Sequence, residues 1–190
     1  MRIMFVRSIW SRFASILAAV ALLSPSLAGP AASEVSAPEF AIKAAYLLKF
    51  PPFIDWPASA FATSTSPFNL CVLGPDPFGA SLDEAVRGRQ VGAHPVRLER
   101  MDSAANLADC QILYVGGASS SVDAEALKKV RAAPVLTVTE EGSGLTGSIV
   151  QFVVRGGHVR FNIDTAAASA SGVVISAKLL DLAAAFRGES

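Results

Sequence analysis

Short apolar runs halted by glycine or proline, with helix-patterned stretches between them, leave this chain few ways to fold. Phe68–Leu73 ends at Gly74-Pro75, and Cys110–Val115 ends at Gly116-Gly117. Between them, Pro77 to Val86 has the spacing of a short helix, His94–Leu98 that of a strand, and Asn106–Asp109 that of one helical turn. Pro95 lacks the amide that a central strand needs, which places His94–Leu98 at a sheet edge. Asp123 to Arg131 then reads as a helix, with Ser121 or Asp123 as N-cap, and Val135–Thr139 as the next strand. Alternation of this kind signals a largely parallel sheet.

The flanks complete the pattern. Ser36-Ala37-Pro38-Glu39 fits a capping box, and Phe40, Ala44, Leu47 and Leu48 follow on one helical stripe. Pro51-Pro52 ends that helix at Phe50, because the residue before a proline is pushed out of the helical region. Phe53–Pro57 reads as an aromatic-rich turn and 58–67 as a loop. Near the other end, Ser148–Val154 and His158–Ile163 flank Gly156-Gly157, the pattern of a β-hairpin. Asn162 and Asp164 are caps for an alanine-rich helix over 165–170, which Gly172 breaks. A last helix over 175–186 carries Ile175, Leu179, Leu182 and Phe186 on one stripe. The expected fold is therefore α/β: a single three-layer Rossmann-like domain over 36–190, with a mostly parallel sheet and a C-terminal hairpin plus helix.

Upstream, Arg2, Arg7 and Arg12 precede the uncharged run Phe13–Leu23 and the small-residue signature Ser26-Leu27-Ala28. That order is a secretory signal peptide over 1–28, cut after Ala28 or, as second choice, Ala32, with 29–35 a disordered lead-in. The apolar run is well short of the roughly 20 residues that span a bilayer. Three of the sixteen basic residues lie in this leader, leaving thirteen against sixteen acidic ones. No basic cluster survives, which argues against a nucleic-acid partner and against an anionic membrane surface.

Export also bears on Cys71 and Cys110, the two cysteines of the chain. In an oxidising compartment such a pair is expected to be joined. In a sheet of order 2-1-3 their strands are neighbours, about 4.8 Å apart and within reach of a disulfide. The alternative is two buried thiols that never meet.

A search for chemistry yields little. Gly142-Ser143-Gly144-Leu145-Thr146-Gly147 matches the dinucleotide fingerprint, but a strand-patterned segment follows it where a helix N-terminus is required. No cofactor is expected. His94 and His158 have no histidine or cysteine at ligand spacing, so no metal is expected either. Serine-elbow and zinc-protease motifs are missing, and Asp55, Asp76 and Asp83 sit where turns and helix starts favour aspartate. No catalytic residue is assigned.

Two features read first as structure, as core packing and as loop turns, and second as surfaces that bind rather than react. Tyr46, Phe50, Phe53 and Trp56 crowd around the double proline and are candidate interface residues, since aromatics anchor many interfaces. The segments Gly74–Gly79 and Gly116–Ser121 follow strands, where open α/β sheets hold ligands. Asp76, Phe78, Gly116 and Gly117 are the candidate ligand-loop residues.

These residues also carry a resemblance. Ala41–Phe50 with Phe53–Pro57, then Phe68–Gly74 with Asp76–Gly79, resemble successive signatures of the YfiR-like family of exported proteins. Cys110–Val115, Leu136–Thr139, Val159–Ile163 and Ile175–Leu180 continue in the family's order, so the likeness spans about residues 40–186. It implies a periplasmic regulator that represses an inner-membrane diguanylate cyclase through its periplasmic sensor region, lowering cyclic-di-GMP. It also implies an outer-membrane lipoprotein that sequesters the repressor, a homodimer, and a Cys71–Cys110 bridge. Some members carry a second cysteine pair in the region matching 140–155; this chain has none there. The rival class is a periplasmic small-ligand sensor or transport accessory, with the two strand-end loops as its pocket.

Overall fold

The computed structural model describes residues 37–117 and 121–188, with side chains over 38–117 and 121–184. The expected signal peptide and lead-in, Ser36 of the capping box and the serine-rich part of the second loop lie outside these residues. In chain order the elements are α1 (Ala37–Lys49), β1 (Ile54–Asp55), β2 (Phe68–Leu73), α2 (Ala80–Val86), β3 (Gln90–Val91), β4 (His94–Met101) and β5 (Ile112–Val115). Then come α3 (Ser121–Val130), β6 (Leu136–Glu140), β7 (Val150–Arg155), β8 (His158–Ile163), α4 (Thr165–Ser171), β9 (Val174–Ile175) and α5 (Ala177–Gly188).

Seven strands form one sheet in the order β3-β4-β2-β5-β6-β7-β8. The five from β4 to β7 are parallel to their neighbours, while β3 and β8 run antiparallel at the two margins. This is the expected α/β fold: a mostly parallel sheet flanked by helices, ending in a hairpin and a helix. Burial explains it. Every residue of β5 is buried, as are all but one of β2 and of β6, so both faces must be covered. On one face Leu70, Val72, Ile112, Tyr114, Leu136, Val138, Phe152 and Phe161 meet apolar residues of α1, α2 and α5. On the other, Leu73, Leu113 and Val115 meet Ala126, Leu127 and Val130 of α3. The alternation of side chains along each strand divides the two sets.

Cys71 and Cys110 are disulfide-bonded, with Cα atoms 5.9 Å apart. The bond lies in the layer under α3, beside Leu73, Leu107 and Leu113. Cys110 follows a 3-10 turn over Leu107–Asp109 and precedes β5 instead of opening it. The next amide, Gln111 N–H, donates to Asn69 O at 3.0 Å, so the ladder is already under way.

Three local expectations are corrected. The aromatic turn contains β1, whose Ile54 sits opposite Ile175 of β9. That pairing holds Val174–Ile175 extended, so α5 begins at Ala177. Of the expected stripe, Leu179 is in the core and Ile175 packs against it, whereas Leu182 is 43% exposed and Ala183 takes the inward position; the side chain of Phe186 lies outside those described. Pro95 is not in an outermost strand, because the two-residue β3 pairs with His94 and Pro95. The hairpin turns at Gly156 and Gly157, both at positive φ (56° and 76°), as a tight two-residue turn requires. Asp164 caps α4, accepting from the amides of Ala166 and Ala167 at 2.9 Å each.

Candidate functional site

Strand order reverses at β2, with β4 on one side and β5 on the other. The crevice beyond the carboxyl ends of β2 and β5 is thus the place where an open α/β sheet holds a ligand. The two candidate loops meet there. A Cβ on Gly116 would lie 2.3 Å from Pro75 O, and one on Gly117 would lie 1.7 Å from Asp123 Oδ2. Only glycine permits either approach. Asp123 is 3% exposed, so its carboxylate fills space that a ligand's anionic group would need. Phe78 is buried as well, edge-on to Tyr114 at 4.6 Å and to Phe40 at 5.7 Å between ring centroids. The described part of the crevice is packed by the protein's own groups.

Asp76 shapes its loop. One carboxylate oxygen accepts from Phe78 N–H at 2.7 Å and Gly79 N–H at 3.3 Å; the other accepts from Arg100 Nε at 2.7 Å. Arg100 also donates to both oxygens of Asp83, at 3.0 and 3.1 Å. These bonds hold the Asp83 carboxyl below, and the Arg100 guanidinium above, their ordinary values. The cluster ties β4 to the first turn of α2 at the surface.

Packing this close gives a direct prediction. Gly117→Ala should destabilise the domain by about 1–3 kcal/mol, the usual cost of overpacking, read as a lower urea midpoint at unchanged slope. A midpoint equal to that of the parent protein would mean that Asp123 does not pack against Gly117.

A second cluster lies beside the crevice, and sequence reasoning missed it. Lys43 is 2% exposed. Its Nζ donates to Glu140 Oε2 at 2.6 Å and also pairs with Glu39, one turn earlier in α1. Tyr114 OH donates to the other Glu140 oxygen at 3.0 Å. Burial raises the Glu140 carboxyl above its ordinary value against the opposing pull of Lys43. Burial, then the Glu140 charge, pushes the Tyr114 phenol well above its own. The group therefore joins α1 to the ends of β5 and β6, with its charges and hydrogen bonds spent on one another. The signal was present in the sequence: Lys43 stands one turn before Leu47 on the inward stripe, and Glu39 is its i, i+4 partner. The Glu39 carboxylate is on Lys43, and its expected reach to the amide of Ser36 lies outside the described residues.

The four candidate interface aromatics divide. Phe50 is 1% exposed, with its ring centroid 5.1 Å from that of Phe161 and 6.1 Å from that of Phe152, so it belongs to the core. Tyr46 is half-buried against the same two rings. Phe53 lies under Lys178 Nζ, 5.7 Å from the ring centroid. Trp56 stands edge-on to Phe68 at 5.2 Å. Tyr46, Phe53 and Trp56 each keep part of their surface in solvent.

The family model described as YfiR/HmsC-like matches residues 40–184, from the first turn of α1 into α5. The chain belongs to the YfiR/HmsC-like family. Comparison with the curated proteins gives no match. Membership implies a regulatory role of the YfiR type, and the YfiR/HmsC-like signatures fall on the structure just described. They cover α1 with Lys43, the first strand-end loop, and the two segments that the disulfide links. Among its described residues, this YfiR/HmsC-like chain has no helix long and apolar enough to cross a membrane. The disulfide together with the family points to a place outside the cytoplasm.

Proposed function

We propose that this protein is a periplasmic regulator, exported with cleavage of residues 1–28, that represses an inner-membrane diguanylate cyclase by binding its periplasmic sensor region. The observation that carries the reading is the family match across residues 40–184. A repressor acts by preferring the inactive form of its target, and moving a population from 1:99 to 99:1 takes about 5.5 kcal/mol of preference. A surface ordered before docking helps, because less conformational entropy is lost on binding. The buried disulfide and the Lys43 cluster stiffen the domain in that sense. In this reading the contact residues are the partly buried Tyr46, Phe53 and Trp56, with Phe50 supporting them from the core. The repressor is a homodimer, and an outer-membrane lipoprotein relieves repression by sequestering it.

The packing of Gly116 against Pro75, and of Gly117 against Asp123, favours this reading over a small-ligand sensor at the strand ends. The mature, oxidised protein, crosslinked in envelope extracts, should recover a membrane diguanylate cyclase through peptides of its periplasmic region. A Phe53→Ala/Trp56→Ala variant that folds normally should lose that crosslink. Recovery of no cyclase from envelopes that contain one would overturn the reading.

A further inference from the structure

β6 and β7 are parallel neighbours, with Val138 opposite Val150, so the chain must cross the sheet between them. Such crossovers are usually built on a helix. Here residues 141–149 make the crossing with no helix at all. The loop is nonetheless held in place. Leu145 is 6% exposed and packs in the same layer as Leu127 of α3. Thr139 Oγ1 and Ser148 Oγ share a hydrogen bond of 2.7 Å, and Ile149 N–H donates to Thr137 Oγ1 at 2.9 Å.

Where a crossover helix would have packed beside α3, a groove of about 470 Å³ remains, bounded by α3, the 144–147 loop and the start of α4. That volume lies within the range of small-molecule sites, about 300–1,000 Å³. Leu127 and Leu145 give the groove an apolar lining, and Lys128 and Arg131 stand along one wall. Lys128 has one distant ion pair, to Glu125 at 4.0 Å, and Arg131 has no ion-pair partner among the described residues. Asp164, on the opposite wall, spends one carboxylate oxygen on the amides of Ala166 and Ala167. The groove thus combines an excess of positive charge with an apolar floor and pre-set walls.

We infer that this groove binds a small organic carboxylate, its headgroup on Arg131 and Lys128 and its apolar body over Leu127 and Leu145. A guanidinium presents two parallel donors to a carboxylate, and the floor rewards a ligand that brings carbon as well as charge. The site is separate from the strand-end crevice and from the aromatic residues assigned to the cyclase.

The test titrates hexanoate and phenylacetate into the mature, oxidised protein at constant ionic strength, followed by amide chemical shifts, with inorganic phosphate as a headgroup-only control. Saturable shifts centred on residues 127–131 and 144–147 are expected for at least one of the two carboxylates. Arg131→Gln/Lys128→Gln, which changes two surface side chains, should weaken that binding by at least about tenfold while leaving the remaining spectrum in place. Absence of saturable shifts with both carboxylates overturns the inference. So does binding that survives the double variant, or phosphate binding as tight as the carboxylates, which would signify an adventitious ion only. None of these readouts involves the cyclase, so their failure is distinct from failure of the repressor reading.

Discussion

Replacing both Cys71 and Cys110 with alanine should lower unfolding stability by about 4 kcal/mol, the chain-entropy value for a loop of this length. The residues are 39 apart in sequence, and the loop they close carries α2, β3 and β4. Without the bond, the unfolded chain regains the freedom to separate β2 from the start of β5. Alanine is the substitution of choice because both sulfurs are buried among apolar side chains, where a serine hydroxyl would add a desolvation penalty of its own. Urea unfolding of the oxidised parent and of the double variant measures the difference. Reductant should bring the parent close to the variant and leave the variant unmoved. Equal midpoints for oxidised parent and variant would remove the bridge from the stability of the fold. Partner binding should weaken along with stability, since the bond braces the sheet against whose opposite face α1 and the proposed contact residues pack.

Lys43→Met should cost about 3–5 kcal/mol, because it strands the Glu39 and Glu140 carboxylates without their buried counter-charge. Lys43→Met/Glu39→Gln/Glu140→Gln should recover much of that loss, since neutral groups of similar volume tolerate burial better than a lone ion does. The pH dependence has a definite sign. Burial already raises the Glu140 carboxyl above its ordinary value in the parent protein, and loss of Lys43 raises it further. A carboxyl raised in the folded state binds its proton more tightly there than in the unfolded chain, so the penalty is greatest when both states are ionised. The Lys43→Met deficit should therefore be largest at neutral pH and shrink as pH falls through the raised Glu140 value. Chemical unfolding of parent and variant from neutral to mildly acidic pH checks this. A deficit that grows on acidification would contradict the assignment of Glu140 as the stranded group.

How much was legible in the sequence depended on the range of the interaction. β2 and β5 are mostly apolar because both of their faces are covered, and the punctuation by Gly74-Pro75 and Gly116-Gly117 is local, so they read directly. β6 mixes valine and leucine with threonine, and its valine and threonines are strand formers. The hairpin at Gly156-Gly157 is equally local. β1 and β9 are different: two residues each, joined from positions 54–55 to 174–175, a pairing that leaves no periodic trace in either segment. The inward face of α5 followed from it, which is why Leu182 was misplaced and Ala183 overlooked. At the candidate site, glycine and aromatic content located the strand-end loops, but whether the loops hold a cavity or each other depends on atoms. Gly117 is small because the Asp123 carboxylate comes against it, and only three dimensions reveal that. Lys43 was hidden for a related reason. A charged residue on an apolar stripe reads as solvated until its partner, 97 positions away, is in view.

The account rests on a protein that works by being bound in one conformation, and cyclic-di-GMP synthesis measures this most directly. Membranes containing the cyclase identified by crosslinking are titrated with the mature, oxidised protein, and the rate of synthesis from GTP is followed. The account predicts saturable inhibition, complete near one repressor per cyclase subunit and shifted to higher concentration for the alanine variant of Cys71 and Cys110. An unchanged rate at saturating protein, from a cyclase shown to be active in the same membranes, would contradict it.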